Sequence, residues 1–84
     1  MAVILTPTEI EILFRQDSST SNDGGFQNFL VLLQEKINTE TGAIDLTESD
    51  LERIPRYAFD YGNGGWEKRL VGTFGRALGP ELGR

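Results

Sequence analysis

The sequence contains no cysteine and no histidine among its 84 residues. Without cysteine it can form no disulfide and offers no thiolate ligand to a metal ion. Without histidine it lacks the commonest general base and the commonest metal ligand, and no Ser-His or Cys-His nucleophile pair can form. We therefore expect no enzymatic activity, no bound metal and no cofactor. The lack of cysteine is compatible with a reducing compartment.

Long apolar runs are missing as well. The N-terminal apolar stretch, Ala2 to Leu5, is four residues long. A membrane-spanning helix needs about 20 apolar residues, and a signal peptide needs a longer apolar region behind basic residues. We expect a cytoplasmic protein that does not associate with membranes. Its length corresponds to one small domain over residues 1–84.

The charge is acidic overall and unevenly distributed. The net charge is −5 at pH 7, with nine acidic and two basic side chains in residues 1–50 and four acidic and six basic ones in residues 51–84. A basic segment can indicate a nucleic-acid-binding face. A small positive surplus is also typical of an ordinary solvated surface.

Two helix starts have clear signals, in the segments "LTPTEI" and "LTESDL". In the first, Thr6 is the N-cap, Pro7 occupies the first helical position and Glu9 completes a capping box. In the second, Thr47 is the N-cap and Asp50 stands three residues later. The segments align as L-T-x-[TS]-[ED]-[IL]-E-x-[LI]. We interpret this as the same capping solution reached twice, with an ancient duplication as the alternative.

Hydrophobic periodicity predicts an all-α fold, a compact four-helix domain. We expect helices over residues 7–16, 25–38, from 48 onwards, and from 65 or 66 to 78. The helix over 25–38 is apolar on more than one side and is predicted to be central. Pro55 lies inside the third helix, which either kinks there or ends and restarts as a fifth helix. The turn before the third helix can include an extended piece at residues 43–46.

The predicted core consists of the apolar residues on the inward stripes of these helices. They are Ile10, Leu13, Phe14, Phe26, Phe29, Leu30, Leu33, Ile37, Leu51, Ile54, Ala58, Trp66, Leu70 and Phe74.

The segment "YAFDYGNGGWEKRL", residues 57–70, combines aromatic residues, glycines and two cations. It fits no phosphate-binding loop, since Lys68 does not directly follow a glycine, and no dinucleotide fingerprint, since Glu67 takes the place of the third glycine. We expect a tight corner between two helices, because glycines accept positive φ. The loop over residues 37–48 resembles a calcium loop in spacing only, since ligand positions one, three and five carry no carboxylate. No calcium site is expected.

Gly72 and Gly75 lie inside the fourth helix, where each glycine costs about 1 kcal/mol relative to alanine. On a helical wheel they face the side of Lys68, with Arg69 and Arg76 beside them. A bare helix backbone flanked by cations lets another surface come close. That surface can be a neighbouring helix, a partner protein or a phosphate backbone. The alternative is a helix that only bends or frays at these two glycines.

Two functions follow as hypotheses. The first is a small non-enzymatic protein-interaction module that binds a protein partner or a second copy of itself. The alternative is a nucleic-acid-associated domain using the basic face of residues 53–76. We rank the interaction module first, because the chain is acidic and Trp66 and Glu67 form a poor start for a base-reading helix. The candidate contact residues are Arg53, Arg56, Lys68, Arg69, Gly72, Gly75 and Arg76.

Overall fold

Two short strands, each followed by a capped helix, begin the two halves of the chain in the computed structural model, which describes residues 1–20 and 22–82. In chain order the main elements are β1 (Ala2–Ile4), α1 (Pro7–Leu13), α2 (Gly25–Lys36), β2 (Ala43–Asp45), α3 (Glu48–Pro55) and α4 (Gly64–Leu78). Short 3₁₀ turns lie at Ser18–Thr20 and Gly79–Leu82, and a π-helical turn lies at Arg56–Asp60.

The predicted compact, mostly helical domain is confirmed. Four α-helices dominate the described part of the chain, and its sheet consists of two three-residue strands. The radius of gyration of the Cα atoms is 11.6 Å, close to the ~12 Å of a compact domain of this length. Within the described ranges, none of the helices combines the length and apolar character needed to cross a membrane.

The two strands pair antiparallel, with Val3 opposite Ile44 at the centre. Met1 and Leu46 extend the pairing, because each donates its N–H hydrogens to the other's carbonyl at 2.8 Å. The extended piece at residues 43–46 was foreseen, but its partner β1 was not.

Gly42 closes the other end of the sheet. Its carbonyl accepts the Leu5 N–H at 2.9 Å. Its φ is +80°, and an added Cβ would lie 2.2 Å from the Leu5 carbonyl oxygen. A side chain at this position would therefore be strained by the backbone angle. It would also collide with the backbone of Leu5, which connects β1 to α1.

Both predicted N-caps form complete capping boxes. Thr6 Oγ1 accepts the Glu9 N–H at 3.2 Å, and the Glu9 carboxylate accepts the Thr6 N–H at 2.8 Å. Thr47 and Asp50 form the corresponding bonds at 3.1 and 3.0 Å. These bonds satisfy N–H groups that a helix start leaves without partners. The predicted starts of α1 and α3 are confirmed, with Pro7 at the first position of α1.

α1 is shorter than predicted, since it ends at Leu13 and not at residue 16. Phe14 is its C-cap and is 43% exposed, so the prediction that Phe14 belongs to the core is wrong. The reason is local. The Arg15 N–H bonds to the Ile12 carbonyl at 3.2 Å in a turn, and the helical stripe that would bury Phe14 does not continue.

Pro55 is the last residue of α3, and the chain passes directly into the π-helical turn. Because proline has no N–H, the regular hydrogen-bond ladder is interrupted there. The backbone nevertheless stays helical, with Arg56 at φ −61° and ψ −52°. The α-helix therefore ends with Pro55 and continues directly as a single wider turn, whereas the prediction was either a kink or a restart with Pro55 as the first residue of a new segment.

The core lies between the sheet and the four helices, and α2 supplies five of its buried side chains, more than any other described element. The helical residues predicted for it are buried or, for Ile10, Leu51 and Trp66, partly buried against it; Phe14 is the exception. Sequence reasoning missed the contribution of the strands, their connectors, the last residue of α4, the C-terminal turn and one residue of α2. The missed residues are Val3, Leu5, Val31, Ile44, Leu46, Leu78 and Leu82.

Candidate interaction surface

The glycine face of α4 lies partly against α1. An added Cβ at Gly72 would lie 3.2 Å from Ile12 Cδ1, so the absent side chain lets the two helices pack closely. Of the three surfaces considered for this face, a neighbouring helix is the one that Gly72 contacts. Gly75 is different, because an added Cβ there would meet only Val71 of the same helix, at 3.4 Å.

Arg76 joins α4 to α1 and β1. Its Nε donates to Glu9 Oε2 at 3.1 Å, and its Nη2 donates to Glu9 Oε1 at 2.8 Å and to the Ile4 carbonyl at 2.6 Å. Glu9 is only 7% exposed. Burial acts to raise the pKa of Glu9, but hydrogen bonds from Arg76 and Thr6 outweigh it, and the pKa is lowered. The charge of Arg76 is therefore already balanced by a buried carboxylate, which weakens its attraction for a phosphate.

Two further cations of the predicted basic face also have partners within the chain. Arg69 Nη1 donates to Gln16 Oε1 at 2.6 Å. Arg56 forms the predicted i, i+4 ion pair with Glu52. Lys68 is exposed, and no hydrogen bond or ion pair joins it to another described residue. The predicted contact residues therefore do not form one free basic face.

Five aromatic rings form a continuous cluster where α2, the π-helical turn and α4 meet. Phe26 stacks on Trp66, with ring centroids 4.4 Å apart and planes 9° apart. Tyr57 stacks on Tyr61 at 5.4 Å, and Tyr61 meets Trp66 edge to face, also at 5.4 Å. Phe29 joins the cluster through Tyr57 at 5.7 Å. Such ring pairs stabilise a structure by about 0.5–1.5 kcal/mol beyond their buried area.

Arg53 lies beside this cluster, with its guanidinium carbon 5.8 Å from the centroid of the Phe29 ring. This distance fits a cation–π contact. The structure therefore places Arg53 on the aromatic cluster, whereas the sequence indicated only that it belonged to a basic face.

The aromatic cluster reaches the surface at one end. Tyr61 is 57% exposed and Trp66 is half-buried, whereas Phe26 and Phe29 are buried. We call the outward-facing part, formed by Tyr57, Tyr61 and Trp66, the aromatic surface. The sequence shows these three rings in one segment but does not show that α2 supplies the rings beneath them, Phe26 and Phe29.

The predicted glycine corner positions this surface. Gly62 has a φ of +65°, which ends the π-helical turn. Asn63 then caps α4, because its side-chain oxygen accepts the N–H groups of Gly65 and Trp66 at 3.0 and 3.1 Å. This cap fixes the position of Trp66. Asn is a recognised N-cap residue, and it marks the start of α4 at Gly64, whereas the predicted start was residue 65 or 66.

Comparison with protein-family models, with curated proteins and with solved structures found no match. Among the described residues, no group of three or more acidic side chains is placed to hold a metal ion. The chain's own contacts are therefore the basis for its proposed function.

Proposed function

We propose that the protein is a small non-enzymatic interaction module that binds a protein partner through the aromatic surface. The observation that carries the proposal is the exposure of Tyr61, whose ring is stacked on Tyr57 and still faces the solvent over most of its area. Tyr and Trp are enriched at protein interfaces and among the residues that dominate binding energy. Their large, rigid rings cover much area at a low cost in conformational entropy.

The aromatic surface is held in place before any partner arrives. Phe26 supports Trp66 from below, and Phe29 supports Tyr57. Because these rings are already ordered, a partner would gain contact area with little loss of side-chain freedom. Gly64 and Gly65 are exposed beside Trp66, which leaves the adjacent backbone open to contact.

The nucleic-acid alternative has less support from the contacts. Arg56, Arg69 and Arg76 each bind a side chain of this chain. The carboxylates paired with Arg56 and Arg76 offset part of their positive charge, which reduces the gain that a basic face normally provides. The arrangement therefore favours a protein partner.

The variant Tyr61→Ala tests the proposal. Because the ring is largely exposed, the fold should persist, and capture of the partner in a pull-down from native cell extract should fall at least about tenfold. Leu32→Ala is the matched control, since it removes an apolar side chain of similar exposure, 45%, from α2. It should leave capture unchanged.

Nucleic acids in the captured fraction are sequenced alongside the proteins. Equal capture by wild type and Tyr61→Ala would contradict the proposal. Recovery of nucleic acid that depends on the cations, and not on Tyr61, would support the alternative. Sedimentation of the purified protein shows whether the partner is a second copy.

A further inference from the structure

A surface cleft of about 220 Å³ lies between the start of α1 and the loop that precedes β2. Its lining residues are Leu5, Pro7 and Ile10 on the helix side and Thr39, Glu40, Thr41 and Gly42 on the loop side. The pairs Glu9–Arg76 and Gln16–Arg69 show that α1 and α4 run antiparallel. The cleft therefore lies at the end of this helix pair that is remote from the start of α4, where the aromatic surface is.

Hydrogen bonds hold the loop wall in shape. The Asn38 side-chain oxygen accepts the N–H groups of Glu40 and Thr41 at 2.9 and 3.2 Å. The Gly42 N–H donates to the Asn38 carbonyl at 2.7 Å, and the Gly42 carbonyl accepts from Leu5. A ligand would find the cleft already formed and would lose little free energy in ordering it.

The size of the cleft limits its occupant. Small-molecule and cofactor sites typically enclose about 300–1,000 Å³, more than this cleft provides. One apolar side chain of a peptide fits better, because Leu5, Pro7 and Ile10 supply an apolar wall. The threonines opposite can contact the backbone of such a peptide.

The rim of the cleft is acidic. Glu40 forms part of the loop wall, and none of the described residues that line the cleft is basic. Glu11 lies four positions after Pro7 and hence on the same side of α1. Both carboxylates are exposed, and neither is in an ion pair with a described residue.

Among the described residues, no cation of the adjoining elements forms an ion pair with Glu40 or Glu11, and this includes the exposed Arg15 just after α1. Lys36, in the last turn of α2, is paired with Asp50. Arg76 is paired with Glu9, which lies two positions after Pro7 and thus on the other side of α1. Among the described residues, Glu40 and Glu11 therefore have no cationic partner at this rim.

We propose that this cleft binds a single apolar side chain of a partner peptide whose neighbouring residues are lysine or arginine. The apolar side chain fills the cleft, and the flanking cations face Glu40 and Glu11. Charge complementarity of this kind speeds association and selects against acidic partners. The site is separate from the aromatic surface, so the inference goes beyond the proposed function and does not depend on it.

The experiment titrates the ¹⁵N-labelled full chain with a capped heptapeptide that has one central leucine flanked by arginines and lysines. Saturable amide shifts are expected at Leu5, Ile10 and residues 39–42. A peptide with serine in place of the leucine, and one with glutamates in place of the cations, should each lose binding. Tyr61→Ala should bind the first peptide as wild type does, which separates this test from that of the proposed function.

A matched pair of charge reversals tests the rim. Glu40→Lys should weaken binding about fivefold at physiological salt, and the loop should persist because Glu40 gives Asn38 only its backbone N–H. Asp23→Lys makes the same charge change before the opposite end of α2 and should weaken binding less than about twofold. Equal weakening by the two variants would overturn the proposal, as would binding of the serine peptide, shifts confined to Tyr61 and Trp66, or no saturable shift.

Discussion

The β1–α1 unit and the β2–α3 unit share one structural plan, in which a strand, two connecting residues and a capped helix follow one another. Equivalent positions are buried in both units: Val3 and Ile44, Leu5 and Leu46, Leu13 and Ile54. The strands pair antiparallel with Val3 opposite Ile44, so the two units meet through their strands. The likeness between the units therefore includes a short strand before each capped helix, in addition to the cap itself.

The two units differ in what holds their capping carboxylates. Glu9 receives two hydrogen bonds from the planar guanidinium of Arg76 on α4. Asp50, which is 9% exposed, accepts a hydrogen bond from the ammonium group of Lys36 on α2. A guanidinium fork fixes geometry more strictly than a single ammonium group does. The same capping box is thus held by α4 in one unit and by α2 in the other. The cation that reaches it determines how rigidly the capping carboxylate is held.

The largest effect is expected from Gly42→Ala, which disrupts the contact between the two units at one end of their sheet. The added Cβ collides with the Leu5 carbonyl at a positive φ, so we expect a loss of about 3 kcal/mol or more in the free energy of unfolding. Gly62→Ala is the control, because its φ is also positive but nothing lies within 4 Å of its added Cβ. It should cost about 1 kcal/mol. Equal shifts of the two urea midpoints would show that the collision does not matter.

A smaller effect is expected from neutralising the two carboxylates. Glu9→Gln should cost about 2 kcal/mol near pH 7 and Asp50→Asn about 1 kcal/mol, because Glu9 loses two charge-assisted bonds from Arg76. Asp50 loses one charge-assisted bond, which comes from the ammonium group of Lys36. Chemical denaturation measures both. A larger loss for Asp50→Asn would reverse the comparison between the units.

The pH dependence gives the same experiment a second readout. For both acids burial acts to raise the pKa, but hydrogen bonds from a cation and from the capping threonine outweigh it, and both pKa values are lowered. Their stabilisation is therefore fully present above the ordinary values of 4.5 for Glu9 and 3.8 for Asp50. It is lost as the pH falls through the lowered values. The gap between wild type and Glu9→Gln should accordingly close in acid.

The smallest effect is expected at the caps themselves. Thr6→Ala and Thr47→Ala should each cost about 1 kcal/mol, because both threonines accept an N–H at nearly the same distance. Serine at either position should restore most of the loss. A denaturant midpoint that one alanine variant leaves unchanged would mean that the cap does not set the start of that helix.

Features set by neighbours in sequence could be predicted, and those set by distant residues could not. Thr6 and Thr47 were found because a capping box joins residues three positions apart. The bond from Arg76 to Glu9 joins opposite ends of the chain, and no local pattern indicates it. From the sequence alone, the face of Gly72 and Arg76 fitted a neighbouring helix, a partner protein and a phosphate backbone equally well. A three-residue strand such as β1 is also too short for alternation to be recognised.

The bond from Arg76 to the Ile4 carbonyl also affects how β1 meets other chains. Because Met1 and Leu46 form a hydrogen-bonded pair, the alternation of an antiparallel ladder turns the backbone groups of Ala2 and Ile4 away from β2. An open strand edge of this kind is a template for aggregation. The guanidinium occupies one of its acceptors and places a charge beside it. An incoming strand would have to displace a cation bound to a buried carboxylate, so the clamp that secures α1 also protects the chain against edge-to-edge assembly.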